Sequence, residues 1–466
     1  MQAEFRVERH QPSPAYALSD GLYTQATIRT PGRSGTYQRV DKETWEGFQP
    51  FVKSPIDYGN PAAEYIDVTG DGRADLLLFD EEQVKVYPGA GRAGHEAAIV
   101  ATRAAEVPFT DSPTAAEKLL FADMGGDGLS DRVRIRNGEV TYWPNLGYGR
   151  FGPKVTMTAA PHFGEAMDEA RVFLVDIDGS GTSDLVYVDG QSIWVYYNQS
   201  GNGFSPPERI SLPDHYSALS QIQFADIQGN GTACLVFSSG EVDGQQQYYD
   251  FTGGVKPHLL IEIDNHMGAI SRIYYAPSTY FYLADRRANR PWLTQLPFPV
   301  QLVERVEQVD LVARSRRVSR FAYHHGAFEF REREFAGFGL VEQWDTETFE
   351  QFQQTGTDAP AIDLTTADLH VPPVYTKTWY HTGIAEQETL SQQFAAEYYT
   401  QQALLEDSRF ETPLAEPASL QAAHRALRGR LLRQEVYGLD GTTAEPHPYT
   451  VEERNYTLRF FQTAEV

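Results

Sequence analysis

The segment Asp67-Val-Thr-Gly-Asp-Gly-Arg-Ala-Asp75 recurs, with variations, three more times in the first half of the chain. The copies are Asp123-Met-Gly-Gly-Asp-Gly-Leu-Ser-Asp131, Asp176-Ile-Asp-Gly-Ser-Gly-Thr-Ser-Asp184 and Asp226-Ile-Gln-Gly-Asn-Gly-Thr-Ala-Cys234. The interval between successive copies is roughly 50 to 56 residues, a period that indicates one repeated supersecondary unit. Each copy is then expected to bury one face against the next copy.

Each copy lies between two stretches that favour β-strands. The apolar run Val172-Phe-Leu-Val175 precedes the third copy and Leu185-Val-Tyr-Val188 follows it, and Asp-Gly between such runs is typical of a hairpin turn. An aromatic strand, Ile193-Trp-Val-Tyr-Tyr197, and a glycine-rich loop come next. Four strands in about fifty residues are typical of a β-propeller blade. We therefore predict an all-β fold with a lead-in over residues 1–15, a propeller over 16–264, and repeat units near 62–115, 116–165, 166–215 and 216–262.

One glycine in each copy has a conformational reason to be there. Gly72, Gly128, Gly181 and Gly231 occupy the same position in the four loops. A tight turn between strands requires a positive φ at such a position, and glycine adopts it at almost no energetic cost. We predict that these four glycines are structural turn residues.

The aspartates of the loops allow two interpretations. Their side chains could bring oxygens together around a calcium ion, or they could cap their own turn by accepting hydrogen bonds from nearby backbone N–H groups. The turn interpretation is favoured, because calcium binds about six to eight oxygens and the fourth copy has a single acid, Asp226. The candidate calcium ligands are Asp67, Asp71, Asp75, Asp123, Asp127, Asp131, Asp176, Asp178 and Asp184.

The composition argues against several classes of function. The chain has 466 residues, which predicts two domains, and a net charge of −25, which disfavours binding to nucleic acids and to anionic membranes. The sequence has no apolar run of about 18 residues for a membrane span, and its first residues lack the apolar core of a signal peptide. The single cysteine, Cys234, excludes an intrachain disulfide and is interpreted as a small buried apolar residue.

The pattern changes after Asn265-His-Met-Gly-Ala269. Alternating segments such as Val300-Gln-Leu-Val-Glu-Arg-Val306 continue, but the Asp-Gly period ends. Such segments predict long antiparallel strands with one charged face over residues 265–466. Within this region, residues 351–372 are predicted to form a linker. Residues 386–428 are predicted to be partly helical, because a serine after Pro417 and a stripe of leucines indicate the start and the packed face of a helix.

No group of residues indicates catalysis. The chain lacks a phosphate-binding glycine loop with Lys-Ser/Thr, an H-E-x-x-H motif and a G-x-S-x-G elbow. Glu332-Arg-Glu334 is more simply the end of a charged strand than an ADP-ribosylation motif. His324, His325 and His381 are more often packed histidines than metal ligands. We therefore predict a protein that is not an enzyme and that has no cofactor, apart from the calcium considered above.

Several segments together resemble one family, the B components of insecticidal toxin complexes (Tc toxins, TcdB/TcaC-like), in their middle region. The Asp-Gly repeats are also shared with other propellers of the VCBS and FG-GAP kind, whereas the later segments are more specific. These later segments include Asn265-His-Met-Gly-Ala269, Arg290-Pro-Trp-Leu-Thr294, Phe321-Ala-Tyr-His-His-Gly326, Glu334-Phe-Ala-Gly-Phe-Gly339 and Leu427-Arg-Gly-Arg-Leu-Leu-Arg-Gln-Glu-Val-Tyr437. The resemblance extends from about Trp45 to the end of the chain.

The resemblance implies a non-catalytic subunit of a secreted toxin. In that family the propeller docks on the channel-forming A component and gates it, and the Rhs-type strands that follow begin a hollow shell. Together with the C component, this shell encloses a toxic cargo. The resemblance therefore implies A and C components as partners and an extracellular location, without a recognisable signal peptide and without direct membrane insertion by this chain. Members of the family continue on both sides of this region, so the chain is expected to represent the propeller and the start of the shell.

A second class of function remains open from the residues themselves. A calcium-dependent adhesion or glycan-binding propeller with a fused β-domain would have the same Asp-Gly repeats. The segments after Asn265 favour the toxin-complex interpretation, because an adhesion module has no use for a shell.

Overall fold

The chain forms two compact units, Met1–His258 and Leu259–Val466, in a computed structural model. The structure describes residues 4–6, 25–30, 33–38 and 47–459, apart from residues 61, 105, 109–116, 165–166, 191, 212–220, 239–244, 331, 347–370, 385–388, 400–402 and 412–416. Strands predominate in both units, which confirms the predicted all-β class. Over the described ranges, no helix has the length and apolar character that crossing a membrane requires.

The described part of the first unit has five antiparallel sheets. One sheet joins β2 (Gln25–Thr30), β3 (Arg33–Gln38) and β4 (Gln49–Pro50). The next three sheets have four strands each in chain order: β5 (Glu64–Ile66), β6 (Asp75–Phe79), β7 (Gln83–Tyr87) and β8 (Ile99–Thr102); β9 (Glu117–Ala122), β10 (Asp131–Arg136), β11 (Glu139–Trp143) and β12 (Val155–Thr156); β13 (Val172–Val175), β14 (Asp184–Val188), β15 (Ser192–Tyr196) and β16 (Glu208–Ser211).

The last sheet of this unit takes one strand from the start of the chain. It joins β17 (Gln221–Ala225), β18 (Cys234–Ser238) and β19 (Gln245–Asp250), and β1 (Glu4–Arg6) pairs antiparallel with β19. The sequence analysis treated residues 1–15 as a lead-in, because a strand of three residues is too short to show an alternating pattern. Each Asp-Gly loop joins the first two strands of its own sheet, as the repeat predicts. The arrangement of the sheets as propeller blades stays a prediction.

Neighbouring sheets of the first unit share their apolar cores. Trp143 of β11 packs with Val68 and Leu77 of the preceding repeat. Val172 of β13 packs in the same way with residues of the second repeat. Leu235 of β18 joins the cluster of the third repeat. The repeats therefore bury their faces against one another in series, which is the physical reason for the period of the sequence.

The second unit is built on an eight-stranded antiparallel sheet, in the order β20-β21-β22-β23-β24-β25-β27-β28. A short parallel pair, β26 (Arg409–Phe410) and β29 (Thr457–Leu458), lies outside this sheet. The eight strands are β20 (Glu262–Asp264), β21 (Ala269–Pro277), β22 (Gln301–Asp310), β23 (Ser315–Glu329), β24 (Glu334–Trp344), β25 (Val374–Tyr380), β27 (Leu431–Gly438) and β28 (Thr450–Glu453).

Three α-helices are described in the second unit, and one of them was not expected. Helices α2 (Leu390–Phe394) and α3 (Pro417–Leu427) lie in the region predicted to be partly helical. Helix α1 (Ser278–Arg287) follows β21, where the sequence analysis predicted no helix. Its aromatic residues also favour strands, so local propensity gave no helix signal there. Contacts such as the edge-to-face packing of Phe281 on Tyr323 of β23 fix the helix against the sheet.

The predicted linker cannot be compared with the structure over most of its length. Residues 351–370 of the predicted linker 351–372 lie outside the described residues. The strands on either side, β24 and β25, pair with each other from Leu340↔Trp379 to Trp344↔Tyr375. The long sheet is therefore continuous across this insertion.

Candidate functional site

The first aspartate of each loop acts as the acceptor for its own turn. Asp67 Oδ1 accepts hydrogen bonds from the backbone N–H groups of Gly70 (2.6 Å) and Asp71 (3.1 Å), and its Oδ2 accepts one from Gly72 (2.7 Å). Asp123 and Asp176 make the same three contacts in their loops. Each carboxylate thus satisfies three N–H groups of a loop that has no sheet partner of its own. This geometry supports the turn interpretation.

The predicted turn glycines all have left-handed backbones. The φ angles are 80° at Gly72, 83° at Gly128, 92° at Gly181 and 79° at Gly231. The N–H group of each of these glycines donates to the first aspartate of its loop. A Cβ at such a φ is strained, so the hydrogen-bonded turn depends on glycine at this position.

The last aspartate of the loop is buried and connects the loop to the third strand of its sheet. Asp131 Oδ2 accepts from the N–H of Met124 at 3.0 Å, and its Oδ1 accepts from the N–H of Asn145 at 2.8 Å. Asp75 and Asp184 make equivalent pairs of contacts. Burial raises the pKa of Asp75 and Asp184 to about 7 and that of Asp131 to about 6, although backbone hydrogen bonds oppose the rise.

Two asparagines link neighbouring repeats, and the sequence analysis did not identify them. Asn145 Nδ2 donates to the backbone oxygen of Val68 in the preceding loop at 2.8 Å. In the next repeat, Asn198 Nδ2 donates in the same way to the backbone oxygen of Met124, which lies in the preceding loop, at 3.1 Å. The signal was present in the sequence, because an asparagine follows the aromatic third strand at the same position in both repeats. We call this pair the asparagine bridges.

The fourth repeat departs from this scheme. Cys234 replaces the last aspartate of the loop and is fully buried as a free thiol, as predicted. Burial raises the pKa of this thiol to about 11. Phe251 occupies the position of Asn145 and Asn198, so this repeat has no equivalent asparagine bridge.

The third loop is the place where calcium ligands converge best. Carboxylate oxygens of Asp176, Asp178 and Asp184 lie within 4.8 Å of one another, and no other such group of three was found among the described residues. These three side chains also accept hydrogen bonds from backbone N–H groups of the loop and from that of Asn198, which follows β15. Three carboxylates supply about half of the oxygens that calcium binds. The fit is therefore partial, and calcium at this loop stays the untested alternative to the favoured turn interpretation.

The second unit contains a buried ionic network at His324. His324 Nδ1 lies 2.5 Å from Asp285 Oδ2 of α1, and its Nε2 lies 3.4 Å from Glu342 Oε2 of β24. Trp292 Nε1 also donates to Asp285, at 2.9 Å. Burial alone would lower the pKa of His324, but the two carboxylates raise it to about 9. His324 is therefore protonated at neutral pH and holds α1 to the sheet.

The other histidines considered as ligands have separate partners. His325 accepts from the N–H of Leu293 and pairs through Nε2 with Glu397 Oε1 at 2.9 Å. His381 Nε2 lies 3.2 Å from Ser408 Oγ, and burial lowers the pKa of His381 to about 4. The structure thus favours packing roles for these histidines.

The acidic pair Glu332 and Glu334 forms surface ion pairs with helix α3 and with the residue that follows it. Arg425 contacts both glutamates, and Arg428 contacts Glu334. These contacts join the start of β24 to the helix, which agrees with the interpretation of this segment as a charged strand end.

Family profiles match two parts of the chain. The profile described as the insecticide toxin TcdB middle/N-terminal region matches residues 198–383, and that of the TcdB middle/C-terminal region matches residues 422–466. A comparison with curated proteins found none that matches.

Solved structures of toxin complexes have a similar fold. The Photorhabdus luminescens Tc holotoxin pore includes a chain that is 29% identical, with a TM-score of 0.75 over 97% of this chain. The crystal structure of TcdB2-TccC3 without its hypervariable C-terminal region is similar over 95% of this chain, at 27% identity and a TM-score of 0.71. This chain spans 21% of the first of those chains and 24% of the second.

Proposed function

We propose a function from the family of this chain, which belongs to the B components of insecticidal toxin complexes and corresponds to their middle region. In this proposal the chain is a non-catalytic part of a secreted toxin complex. The first unit docks on the A component and gates its channel. The second unit begins the shell that, with the C component, encloses the toxic cargo. The observation that carries the proposal is the similarity over nearly the whole chain to a component of a Tc holotoxin pore.

The construction of the first unit suits a gate. Its sheets are separate elements that pack in series through apolar clusters and two asparagine bridges. Separate elements of this kind can shift relative to one another without breaking the hydrogen bonds inside any sheet. A partner that binds one arrangement better than another would then shift the population towards that arrangement.

The construction of the second unit suits a wall. Its central strand β23 has 15 residues, which corresponds to a length of about 50 Å at the usual rise per residue. Seven further strands flank it in one antiparallel sheet. A long continuous sheet has its backbone hydrogen bonds internally satisfied, so it can separate an enclosed space from the solvent.

The proposal is tested by the binding of the full chain to the matching A-component pentamer in interferometry. We expect saturable binding with a Kd between nanomolar and low micromolar. The matched control is Gly125→Ala, which the loop accommodates without a clash and which is expected to leave binding unchanged. A well-folded chain that does not bind the A component would contradict docking. A glycan array would then test the adhesion alternative.

Enclosure of the cargo requires a second experiment. The chain is co-expressed with the matching C component, and the complex is isolated by size-exclusion chromatography. We expect co-elution of the two chains. Separate elution of two folded chains would contradict the shell role while leaving docking on the A component unaffected.

A further inference from the structure

A row of six side chains crosses the long sheet at one level. Residues that pair directly in an antiparallel sheet project from the same face, so the members of the row are side-chain neighbours. The row consists of Tyr274, Arg305, Arg320, Trp344, Tyr375 and Tyr437, each paired with the next. Two arginines, Arg305 and Arg320, are therefore paired directly between β22 and β23, and like charges in such a pair are unfavourable by themselves.

Neither guanidinium in this row has an acidic partner within the described residues. Arg305 lies over the ring of Tyr274, with its Cζ 3.7 Å from the ring centroid. Arg320 makes no hydrogen bond or ion pair with any described residue, and its Nε is buried without an acceptor. A buried donor without an acceptor destabilises the fold. In a chain with 64 acidic and 39 basic residues, an unpaired arginine at this position requires an explanation.

Arg320 lines an open cleft of about 560 Å³, a volume within the usual range of ligand pockets. Aromatic side chains form part of the lining: Phe281 and Tyr280 come from α1, and Trp344 comes from β24. Trp344 is held in place by stacking on Tyr375, with ring centroids 4.8 Å apart. The cleft thus combines one cationic group with rigid apolar surface.

Two of the acidic groups of the cleft are already neutralised. Asp285 pairs with His324 and with Arg290, at 2.5 Å and 3.1 Å. Glu342 pairs with His324 and accepts a hydrogen bond from Tyr375. Glu304 also lines the cleft, but no ion pair joins it to Arg320. Among the described residues, none neutralises the charge of Arg320, which is therefore available to a ligand.

We propose that Arg320 anchors a binding site for a peptide segment in which a carboxylate lies next to an aromatic or large aliphatic side chain. The planar guanidinium donates in a fork geometry that matches a carboxylate. The neighbouring apolar side chain packs on Trp344 and Phe281. The carboxylate accepts hydrogen bonds from the guanidinium N–H groups with which Arg320 lines the cleft, and it neutralises the charge of Arg320. This inference does not depend on the proposed function of the whole chain.

The test uses the full chain and the probe acetyl-Phe-Glu-amide in calorimetric titration. We expect saturable binding, with at least a tenfold loss when the glutamate of the probe is replaced by glutamine. Arg320→Gln is expected to weaken binding by at least tenfold. Glu304→Gln is expected to tighten binding by a few-fold, because the substitution removes a negative charge that repels the carboxylate of the probe. Arg287→Gln, at the exposed end of α1, serves as the matched control with unchanged binding.

A thermal melt separates this role from a structural one. If Arg320 serves binding, Arg320→Gln leaves the melting temperature unchanged or raises it, because the variant removes an unsatisfied buried donor and a like-charge pair. A lowered melting temperature together with unchanged probe binding would overturn the proposal. Absence of binding of the probe to the unaltered chain would overturn it as well. If the chain binds inorganic phosphate but not the peptide, the site is a phosphate site, and the peptide assignment is refuted.

Discussion

At the scale of single residues, the aspartate that begins each loop and the glycine five positions later are joined by a hydrogen bond and form one turn. The carboxylate accepts hydrogen bonds from the N–H groups of the turn, and the glycine adopts the left-handed φ that lets the chain continue from the turn. Asp123 and Gly128 show this relation in the second loop, as Asp67 and Gly72 do in the first. The pairing explains why these two residue types recur together in the sequence.

The requirement for glycine in this turn is tested at Gly128 of the second loop. Gly128→Ala is expected to destabilise the first unit by about 1–2 kcal/mol, because an L-residue is strained at a φ of 83°. Thermal unfolding followed by circular dichroism measures the change. Gly125→Ala is the matched control, since a Cβ meets no atom within 4 Å at either position but only Gly128 has a left-handed φ. Equal stability of the two variants would count against the turn assignment.

The charged state of His324 makes the second unit sensitive to alkaline pH. Its pKa of about 9 in the folded chain lies above the value of about 6.5 expected in the unfolded chain. The contribution of protonated His324 to the free energy of unfolding is therefore complete below about pH 6.5 and is lost as the pH rises through about 9. This contribution is on the order of 3 kcal/mol.

Urea unfolding at pH 6.5 and pH 9.5 measures this effect. At pH 6.5, His324→Gln is expected to be less stable than the unaltered chain. Between pH 6.5 and pH 9.5, its free energy of unfolding is expected to fall less than that of the unaltered chain. The exposed His266 is the control position, and His266→Gln should retain the full pH dependence. A pH dependence that His324→Gln leaves unchanged would assign the titration to another group.

At the scale of elements, the asparagine bridges join one sheet to the next. Asn145 and Asn198 each donate to a loop of the preceding repeat while their own N–H groups are held by a buried aspartate. One side chain thus fixes both the position of a loop and its distance from the neighbouring sheet. The fourth repeat has Phe251 at this position, so its junction with the third repeat depends on apolar packing.

The bridges are tested by truncation. Asn145→Ala and Asn198→Ala are each expected to cost about 1–3 kcal/mol, because the backbone oxygens of Val68 and Met124 lose a buried donor. Asn202→Ala is the control, since Asn202 is exposed and its side chain bonds only to its own turn. Chemical denaturation gives the three values. If Asn202→Ala lowers the free energy of unfolding as much as the two bridge variants do, the loss comes from the loops themselves and not from the contacts between repeats.

Calcium binding is best tested at the third loop. Because the carboxylates there already serve backbone N–H groups, we predict that the melting temperature in calcium equals that in chelator to within about 1 °C. Differential scanning fluorimetry measures both. A rise of several degrees in calcium that is abolished by Asp178→Asn would instead place an ion among Asp176, Asp178 and Asp184.

At the scale of the whole molecule, the excess of acidic residues shapes association with a partner. A net charge of −25 favours a partner surface with basic residues and accelerates the encounter at low ionic strength. We predict that the association rate with the A component falls at least several-fold between about 50 mM and 300 mM salt, while the dissociation rate changes less. Interferometry at the two salt concentrations gives both rates. An association rate independent of salt would show that the docking faces are not charge-complementary.

Several features of the protein follow from the sequence because their causes are local. A turn needs glycine and a side-chain acceptor within a few residues, and a strand shows its alternation over five or six residues. The Asp-Gly loops, the turn glycines and the change of pattern after Asn265 could therefore be predicted. The resemblance of the later segments to one family supplied the remainder of the functional expectation.

Other features were decided only by contacts between residues far apart in the chain. Helix α1 depends on the packing of its aromatic residues against β23, and His324 acquires its charge from Asp285 and Glu342 on two other elements. Asn145 finds its acceptor 77 positions away, and Arg320 faces Arg305 because of the register between β22 and β23. Sequence by itself determined the repeat, the turns and the β-class, since these depend on neighbours along the chain. The tertiary structure alone decided the buried network, the bridges and the cleft, because burial and opposing charges depend on neighbours in space.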